Sequence, residues 1–259
     1  MTKLDKEPLI LITNDDGVES LGLKEIIEII KKITSNYIVV APESNCSGFG
    51  HSITLLRPLR LNLISKNFYS CDGTPTDCVM IANSKILKKR KPDLIISGIN
   101  IGENMGDDVT YSGTVGAAFE GALLNIKSMA VSKIRPEDKE KDNWDIVRKF
   151  MPNIIISFLN SPKKNSNLLN VNIPNISEKF LKGIKYTTLG RRKPKGNFLV
   201  RKDSKEIPYY WLTTERSKEI IKPNTDIWAV NNNFISITPL NIDFTDYNYI
   251  NEIKGENNQ

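Results

Sequence analysis

Short, nearly unbroken apolar runs separated by amphipathic stretches constrain this chain more than any other feature. Pro8 to Thr13, Tyr37 to Ala41 and Pro92 to Ser97 read as strands buried on both faces, and Ser128 to Ser132 as another. Between the first two, Leu23, Ile26, Ile27, Ile30 and Ile33 recur at helical spacing, with Lys24, Glu25, Glu28, Lys31 and Lys32 interspersed. Thr76 to Leu87 predicts a second helix. Gly113 to Ile126, with Gly116, Ala117, Ala118, Gly121 and Ala122, predicts one that packs closely on a sheet. Strand, helix and strand at this rhythm imply right-handed crossovers and a parallel sheet with helices on both faces, an α/β fold of Rossmann-like type. Ligands dock on such sheets at the carboxyl ends of the strands, so the loops after residues 13, 41 and 97 are the ones to inspect.

The rest of the chain is less regular. Ser52 to Leu56 and Arg60 to Ile64 resemble a strand pair around Arg57-Pro58. Asp142 to Leu159 predicts a helix interrupted near Pro152, Leu168 to Ile173 a strand, and Phe234 to Leu240 a returning strand. From Gly190 to Asn224 the chain is basic, carries Pro194, Pro208, Pro223 and Tyr209-Tyr210-Trp211, and reads as extended hairpins leaving the core for subunit contact. The expected organisation is an α/β core over 1–185, an extended basic hairpin segment over 186–233 used in oligomer contacts, and a returning strand with a disordered tail over 234–259.

Composition narrows the class of function. At 259 residues, 39% hydrophobic and 25% charged, the chain has the make-up of a globular protein able to bury a sizeable core. No run is long enough to cross a bilayer, and Met1 to Glu7 lack the apolar centre of a signal peptide, which predicts a cytoplasmic protein without a membrane partner. Cys46, Cys71 and Cys78 form no Cys-x-x-Cys pair, which argues against a thiolate zinc site and fits a reducing compartment. Nine basic residues against one acid between Lys182 and Lys205 exceed the net charge of the whole chain, +6. The segment is either a solvated arm or a surface that steers anions.

Chemistry concentrates where the strands end. Thr13-Asn14-Asp15-Asp16-Gly17 follows the first strand; adjacent carboxylates repel, and a turn made tight by Gly17 can bring both onto one cation. Alone, the same residues are also an ordinary helix-capping turn. Pro42 to Gly48 and Ser97 to Gly102 add hydroxyl and amide oxygens at the same edge. Two carboxylates with neutral oxygens and no nitrogen or sulfur make a hard site that favours Mg²⁺ or Mn²⁺ over Zn²⁺. Asp107 to Thr114 leads into the small-residue helix, whose free N–H groups, with the hydroxyls of Ser112 and Thr114, suit a phosphate. Asp107 and Asp108 read as loop and supporting groups.

Taken together and in order, Asn14-Asp15-Asp16-Gly17, Ala41-Pro42 with Ser47-Gly48, Asp72-Gly73-Thr74-Pro75, Ser97-Gly98-Ile99-Asn100 and Gly106-Asp107-Asp108-Val109 with Tyr111-Ser112-Gly113-Thr114-Val115 resemble the SurE (survival protein E) family. The resemblance covers roughly the first half of the chain motif by motif. It implies a metal-dependent phosphoric monoester hydrolase acting on nucleoside 5′- and 3′-monophosphates, and it allows activity on short polyphosphate. It also implies one divalent ion per subunit held by Asp15, Asp16, Ser47 and Asn100, and a homodimer or homotetramer built through the C-terminal segment. On this reading Asp15 and Asp16 are catalytic, with water or one of the aspartates as nucleophile. Asn14, Gly48, Ser112, Gly113 and Thr114 bind phosphate and substrate, and no nucleic acid is obligatory.

Rival readings fail on particular residues. Asp72-Gly73-Thr74 resembles the haloacid-dehalogenase signature, but Ser70 stands where its nucleophilic Asp is needed, so a turn opening the next helix is preferred. Gly48-Phe49-Gly50 lacks the third glycine of a dinucleotide loop, and no P-loop occurs. His51, the single histidine, allows no His-pair mechanism; it is either a donor to substrate or a loop residue. Cys46 is read as structural. An RNA-binding protein using the basic stretch 182–211 with its aromatics is the alternative from another class.

Overall fold

In the computed structural model, residue 4 and residues 6–88, 90–137, 142–162, 167–192, 197–213 and 221–254 are described. The first strand, β1 (Ile10–Thr13), leads into α1 (Leu21–Lys31), which Ser20 caps by accepting the Leu23 N–H. Then come β2 (Tyr37–Pro42), β3 (Leu61–Ser65), β4 (Phe68–Cys71) and α2 (Pro75–Ile81), which continues into a π-helical turn, Ala82–Ile86. Beyond it lie β5 (Leu94–Ile101), a 3-10 turn Gly106–Thr110, α3 (Gly113–Leu123), β6 (Lys127–Lys133), α4 (Asp145–Asn160) and β7 (Leu168–Ile173). The chain closes with β8 (Gly183–Tyr186), the hairpin β9 (Phe198–Lys202) and β10 (Pro208–Leu212), α5 (Asp226–Asn231), β11 (Phe234–Leu240) and α6 (Tyr247–Ile253).

Nine strands form one sheet in the order β3-β4-β2-β1-β5-β6-β7-β11-β8, with β4 through β7 mutually parallel and only β3 and β11 pairing antiparallel to their inner neighbours. The long apolar runs are explained by burial on both sides. Ile10 and Ile12 face the core under α1 and α4, while Leu9 and Leu11 pack with Cys78, Val79 and Ala117 of α2 and α3. The chain works outward from β1 through β2 to β4, then crosses back to lay β5 on the other side of β1. The carboxyl edge between β1 and β5 is therefore the switch point of the sheet, where Thr13 and Ser97 are paired in register.

Three expectations change. Ser52 to Leu56 forms no strand; Leu56 is fully exposed, and the segment is tied to the start of α2 by Thr74 Oγ1 donating to the Ser52 carbonyl and Thr54 N–H donating to Asp77. β3 instead turns through Asn67, at φ 61°, and pairs with β4. Pro152 does not interrupt α4. The helix runs through it because Ile146, Val147, Met151, Ile155 and Phe158 are buried on the sheet, which outweighs one missing hydrogen bond. Among the described residues of the 186–233 segment, the hairpin β9–β10 is exposed throughout while much of the rest joins the core. Thr187, Thr225, Asp226, Ile227, Ala229 and Val230 are buried, and Thr188 bridges Thr225. Lys193, Lys195 and the tail beyond Lys254 lie outside the described residues.

Candidate active site

The loops that follow β1, β2, β5 and the 3-10 turn meet at the switch point. Asp15 is their centre. Its carboxylate accepts the hydroxyl proton of Thr114 at 2.5 Å, and its backbone carbonyl accepts the Cys46 N–H at 2.8 Å. Thus α3 and the post-β2 loop are both fastened to the residue after Asn14. A Cβ on Gly113 would lie 3.0 Å from Asp15 Cβ and 3.1 Å from its Oδ2, so the first turn of α3 can sit this close only because that residue is glycine. Burial is the main force pushing the Asp15 carboxyl up to about 6; the Asp16 charge adds to it, and the Thr114 hydroxyl opposes it. Asp16, half-buried, is also raised by burial, and is held back by the Ile101 N–H and by the charge of Arg135. Two adjacent acids with raised affinity for protons form a pocket of negative charge that Arg135 and the Thr114 hydroxyl offset only in part.

The other predicted residues fall as follows. Asn100 lies where β5 departs from regular pairing; its Nδ2 donates to the Gly102 carbonyl at 2.7 Å, so its Oδ1 is the group left to face a ligand. Ser47 is exposed, one residue beyond the Cys46 that binds Asp15, and its N–H is held by Asn45 Oδ1 at 2.8 Å. Gly48, at φ 79°, has open space where a Cβ would stand. Asn14 spends its Nδ2 inside the turn, on the Gly17 carbonyl and Ser20 Oγ, while its buried Oδ1 has no partner. Ser112 caps α3, accepting the Val115 N–H at 3.1 Å. Thr114 differs from expectation: its hydroxyl is committed to Asp15, leaving the helix start itself, at Ser112 and Gly113, to offer donors outward.

Among the described residues no three or more His, Cys, Asp or Glu side chains gather as a metal cage. The donor set here is of another kind, two carboxylates with hydroxyl and amide oxygens, and its only partly offset charge and orphaned Asn14 Oδ1 fit a hard divalent ion. His51 pairs with Glu120 at 3.0 Å and packs against Phe119, and the buried Cys46 contacts carbonyls of its own loop and Gly73. Thr74 and Asp77 form a reciprocal capping box, so Asp72-Gly73-Thr74 is a helix-opening turn.

Two supporting groups were not foreseen. Asn104 is the hub of a buried amide network: its N–H donates to Asn172 Oδ1, its Nδ2 to Ser132 Oγ, and its carbonyl accepts from Asn170 and Asn172. Two asparagines at alternate positions of the otherwise apolar β7 were the visible signal. Asp226, fully buried, accepts the N–H groups of Gly106, Gly190 and Ile227, while Arg191 and Arg192 reach Asp107, Glu103 and Asp108. The stem of the basic segment is thereby clamped to the loop that delivers α3. No short motif announces that contact, because it joins residues 120 positions apart.

Comparison with known proteins completes the picture. Residues 10–196 match the family model described as "Survival protein SurE". A protein of Aquifex aeolicus named 5′-nucleotidase SurE is 41% identical over 248 residues, spanning 95% of this chain and 97% of that one. One of Paramagnetospirillum magneticum with the same name is 42% identical over 236 residues, 91% and 90% of the two chains. The crystal structure of the SurE protein from Aquifex aeolicus superposes with a TM-score of 0.81 at 40% identity, covering 97% of this chain and all of that one.

Proposed function

The chain belongs to the SurE family, and on that premise we propose that it is a 5′-nucleotidase, hydrolysing nucleoside 5′-monophosphates to nucleoside and phosphate, with 3′-monophosphates and short polyphosphate as further substrates. The observation that carries the reading is the adjacent Asp15–Asp16 pair at the β1 end, only partly offset by Arg135 and Thr114, set against the first turn of α3. Asp15, Asp16, Ser47 and Asn100 would hold one divalent ion, Mg²⁺ or Mn²⁺, and such an ion supplies positive charge for the phosphoryl oxygens. The N–H groups at the start of α3, near Gly113, and the Ser112 hydroxyl hold the remaining phosphoryl oxygens. Thr114 keeps Asp15 ionised and fixed, Asn14 shapes the turn that presents both acids, and Gly48 leaves the rim open to substrate. Asp16, the more exposed acid, takes the proton of the attacking water.

The exposed hairpin, with Phe198, Val200, Tyr210, Trp211 and Leu212 open to solvent, is the oligomer-forming element of a homodimer or homotetramer. Three unpaired cysteines suit the cytoplasm, and among the described residues no helix is long and apolar enough to cross a membrane. For the RNA-binding alternative the basic run is less available than it looks, since Arg191 and Arg192 neutralise the chain's own Asp107, Glu103 and Asp108. The decisive experiment is phosphate release from a panel of mononucleotides, with EDTA and with added Mn²⁺, for the parent chain and Asp16→Asn. Release that needs metal and vanishes in a folded Asp16→Asn supports the reading; RNA binding that persists in EDTA without release overturns it.

A further inference from the structure

Arg135 follows β6 at the carboxyl edge of the sheet, one strand over from the β1–β5 switch point. Its Nη2 donates to the Ile101 carbonyl at 2.8 Å, and the N–H of the same Ile101 donates to Asp16, so one residue of β5 links guanidinium and acid. Gly102 comes next, and a Cβ there would stand 3.7 Å from both Arg135 Nη2 and Asn100 Nδ2. With only hydrogen at that position, Arg135 and Asn100 border one open space. Arg135 is exposed and, among the described residues, forms no ion pair with a carboxylate. Nearby cations are committed: Lys133 to Asp142 and Asn175, Arg191 to Asp107, and Arg192 to Glu103 and Asp108. Arg135 spends a single N–H on the Ile101 carbonyl and keeps the rest of its fork.

Charge balance gives that fork a use. Asp15, Asp16 and a divalent ion would cancel, whereas a phosphate monoester near pH 7 brings a charge of about −1.5 to −2. The start of α3 offers roughly +0.5. Most of the phosphoryl charge is thus unmet by the ion and the helix together. Burial raises the Asp16 carboxyl, and the Ile101 N–H and then the charge of Arg135 hold it back, so the guanidinium lies within electrostatic range of the acid pair. A planar guanidinium also matches two oxygens of one phosphate at once, which a point charge cannot. Resting on the nucleotidase reading, we propose that Arg135 is a substrate-contacting residue that binds the phosphoryl group from the β6 side of the switch point.

Two variants separate contact from scaffolding. Arg135→Gln removes the charge and keeps a donor for the Ile101 carbonyl; Arg135→Lys keeps the charge without the fork. Inorganic phosphate titrated calorimetrically in the presence of Mn²⁺ should bind the glutamine variant about tenfold more weakly than the parent, with the lysine variant between them. The value of kcat/KM should fall by a similar factor for adenosine monophosphate and for p-nitrophenyl phosphate, since the contact is to the group they share. The Mn²⁺ concentration that half-saturates the rise in Tm should not increase, because no ligand of the ion is touched. Unchanged phosphate affinity, no phosphate binding by the parent at millimolar concentration, or a loss of rate confined to the nucleotide would each overturn the proposal. So would a weakened Mn²⁺ midpoint that accounts for the lost rate, which would make Arg135 a support for Asn100. A parent chain whose phosphate binding depends on Arg135 but which hydrolyses neither ester would sink the nucleotidase reading and leave the contact standing.

Discussion

Thr114 Oγ1 donates to Asp15 Oδ1 at 2.5 Å across 99 positions of sequence and so ties α3 to the end of β1. Both residues are buried. A carboxylate there has lost most of its hydration, and Asp16 repels it as well, so the hydroxyl is the chief local group favouring its ionised form. The same bond fixes the first turn of the helix against the acid pair. Ionisation of the site and placement of its anion donors are therefore coupled through one hydroxyl.

Thr114→Val keeps shape and removes that donor. The Asp15 carboxyl should rise further, so the acidic limb of the pH–rate profile should move to higher pH and turnover at pH 7 should fall roughly 10- to 100-fold, the scale of one or two kcal/mol lost at a buried acceptor. Thr114→Ser, which restores the hydroxyl, should recover most of it. Initial rates from pH 5 to 9 decide the matter; an unshifted profile in the valine variant would remove Thr114 from the mechanism.

Linkage gives Asp15 a stability signature. Its folded value, about 6, stands above the ordinary 3.8, so the protonated form is the one folding favours. Stability from this group is fully present below pH 3.8 and is lost as pH rises through about 6, by on the order of 3 kcal/mol. In EDTA, Asp15→Asn should match the parent near pH 4, gain on it between about pH 4 and pH 6, and hold that lead at higher pH, while losing phosphate release. Added Mg²⁺ or Mn²⁺ must displace that proton at low pH, so its effect on the parent's Tm should be small at pH 5 and grow through pH 7. Denaturant and thermal melts across pH test both; a stability gap that does not open with pH would show that Asp15 is not the buried acid described here.

The hairpin prediction is sharper than sequence alone allowed. Excising 190–224 would also destroy the Gly190–Asp226 bond and the Arg191 and Arg192 pairs, which belong to the site's scaffold. Replacing only the residues from Phe198 to Leu212 by a short turn removes the exposed apolar ladder and spares those contacts. Light scattering should then give a smaller mass per particle, with the far-UV spectrum of the core retained. An unchanged mass would place the subunit contact elsewhere.

Much of this was legible because the pattern was local. Ile10 to Thr13 and Tyr37 to Ala41 announce buried parallel strands by continuous apolarity, and Asp15-Asp16 and Ser112-Gly113 lie where strand-end logic puts ligands. What stayed hidden depends on distant partners. Whether Ser52 to Leu56 joins a ladder was decided by Thr74 and Asp77 capturing it, and whether Pro152 breaks α4 was decided by the apolar face beneath it. Asn104 and Asp226 look like ordinary loop and helix residues until the fold brings β7 and the hairpin stem to them. The bond from Thr114 to Asp15 was hidden for the same reason, since it joins residues 99 positions apart.

Gly22 offers a test of how the backbone itself builds the site. It lies in α1 facing β5, and a Cβ there would stand 1.8 Å from the Ile99 carbonyl oxygen, a backbone atom that cannot swing aside. Gly22→Ala must therefore lift α1 or displace the stretch from Gly98 to Asn100. Overpacking at a buried backbone contact costs about 1–3 kcal/mol or more, visible as a lower Tm. The displaced stretch carries Asn100, and its neighbour Ile101 donates to Asp16, so activity should fall beyond what unfolding explains, with weaker metal dependence as the signature. Gly183→Ala is the control at the far edge of the sheet, where nothing lies within 4 Å of the new methyl and only its φ of 118° is strained; it should lower Tm without altering the metal titration. If Gly22→Ala lowers Tm but leaves the metal titration of the folded fraction untouched, the approach of α1 to β5 serves packing alone, and Asn100 owes its position to the Gly102 carbonyl rather than to the helix behind it.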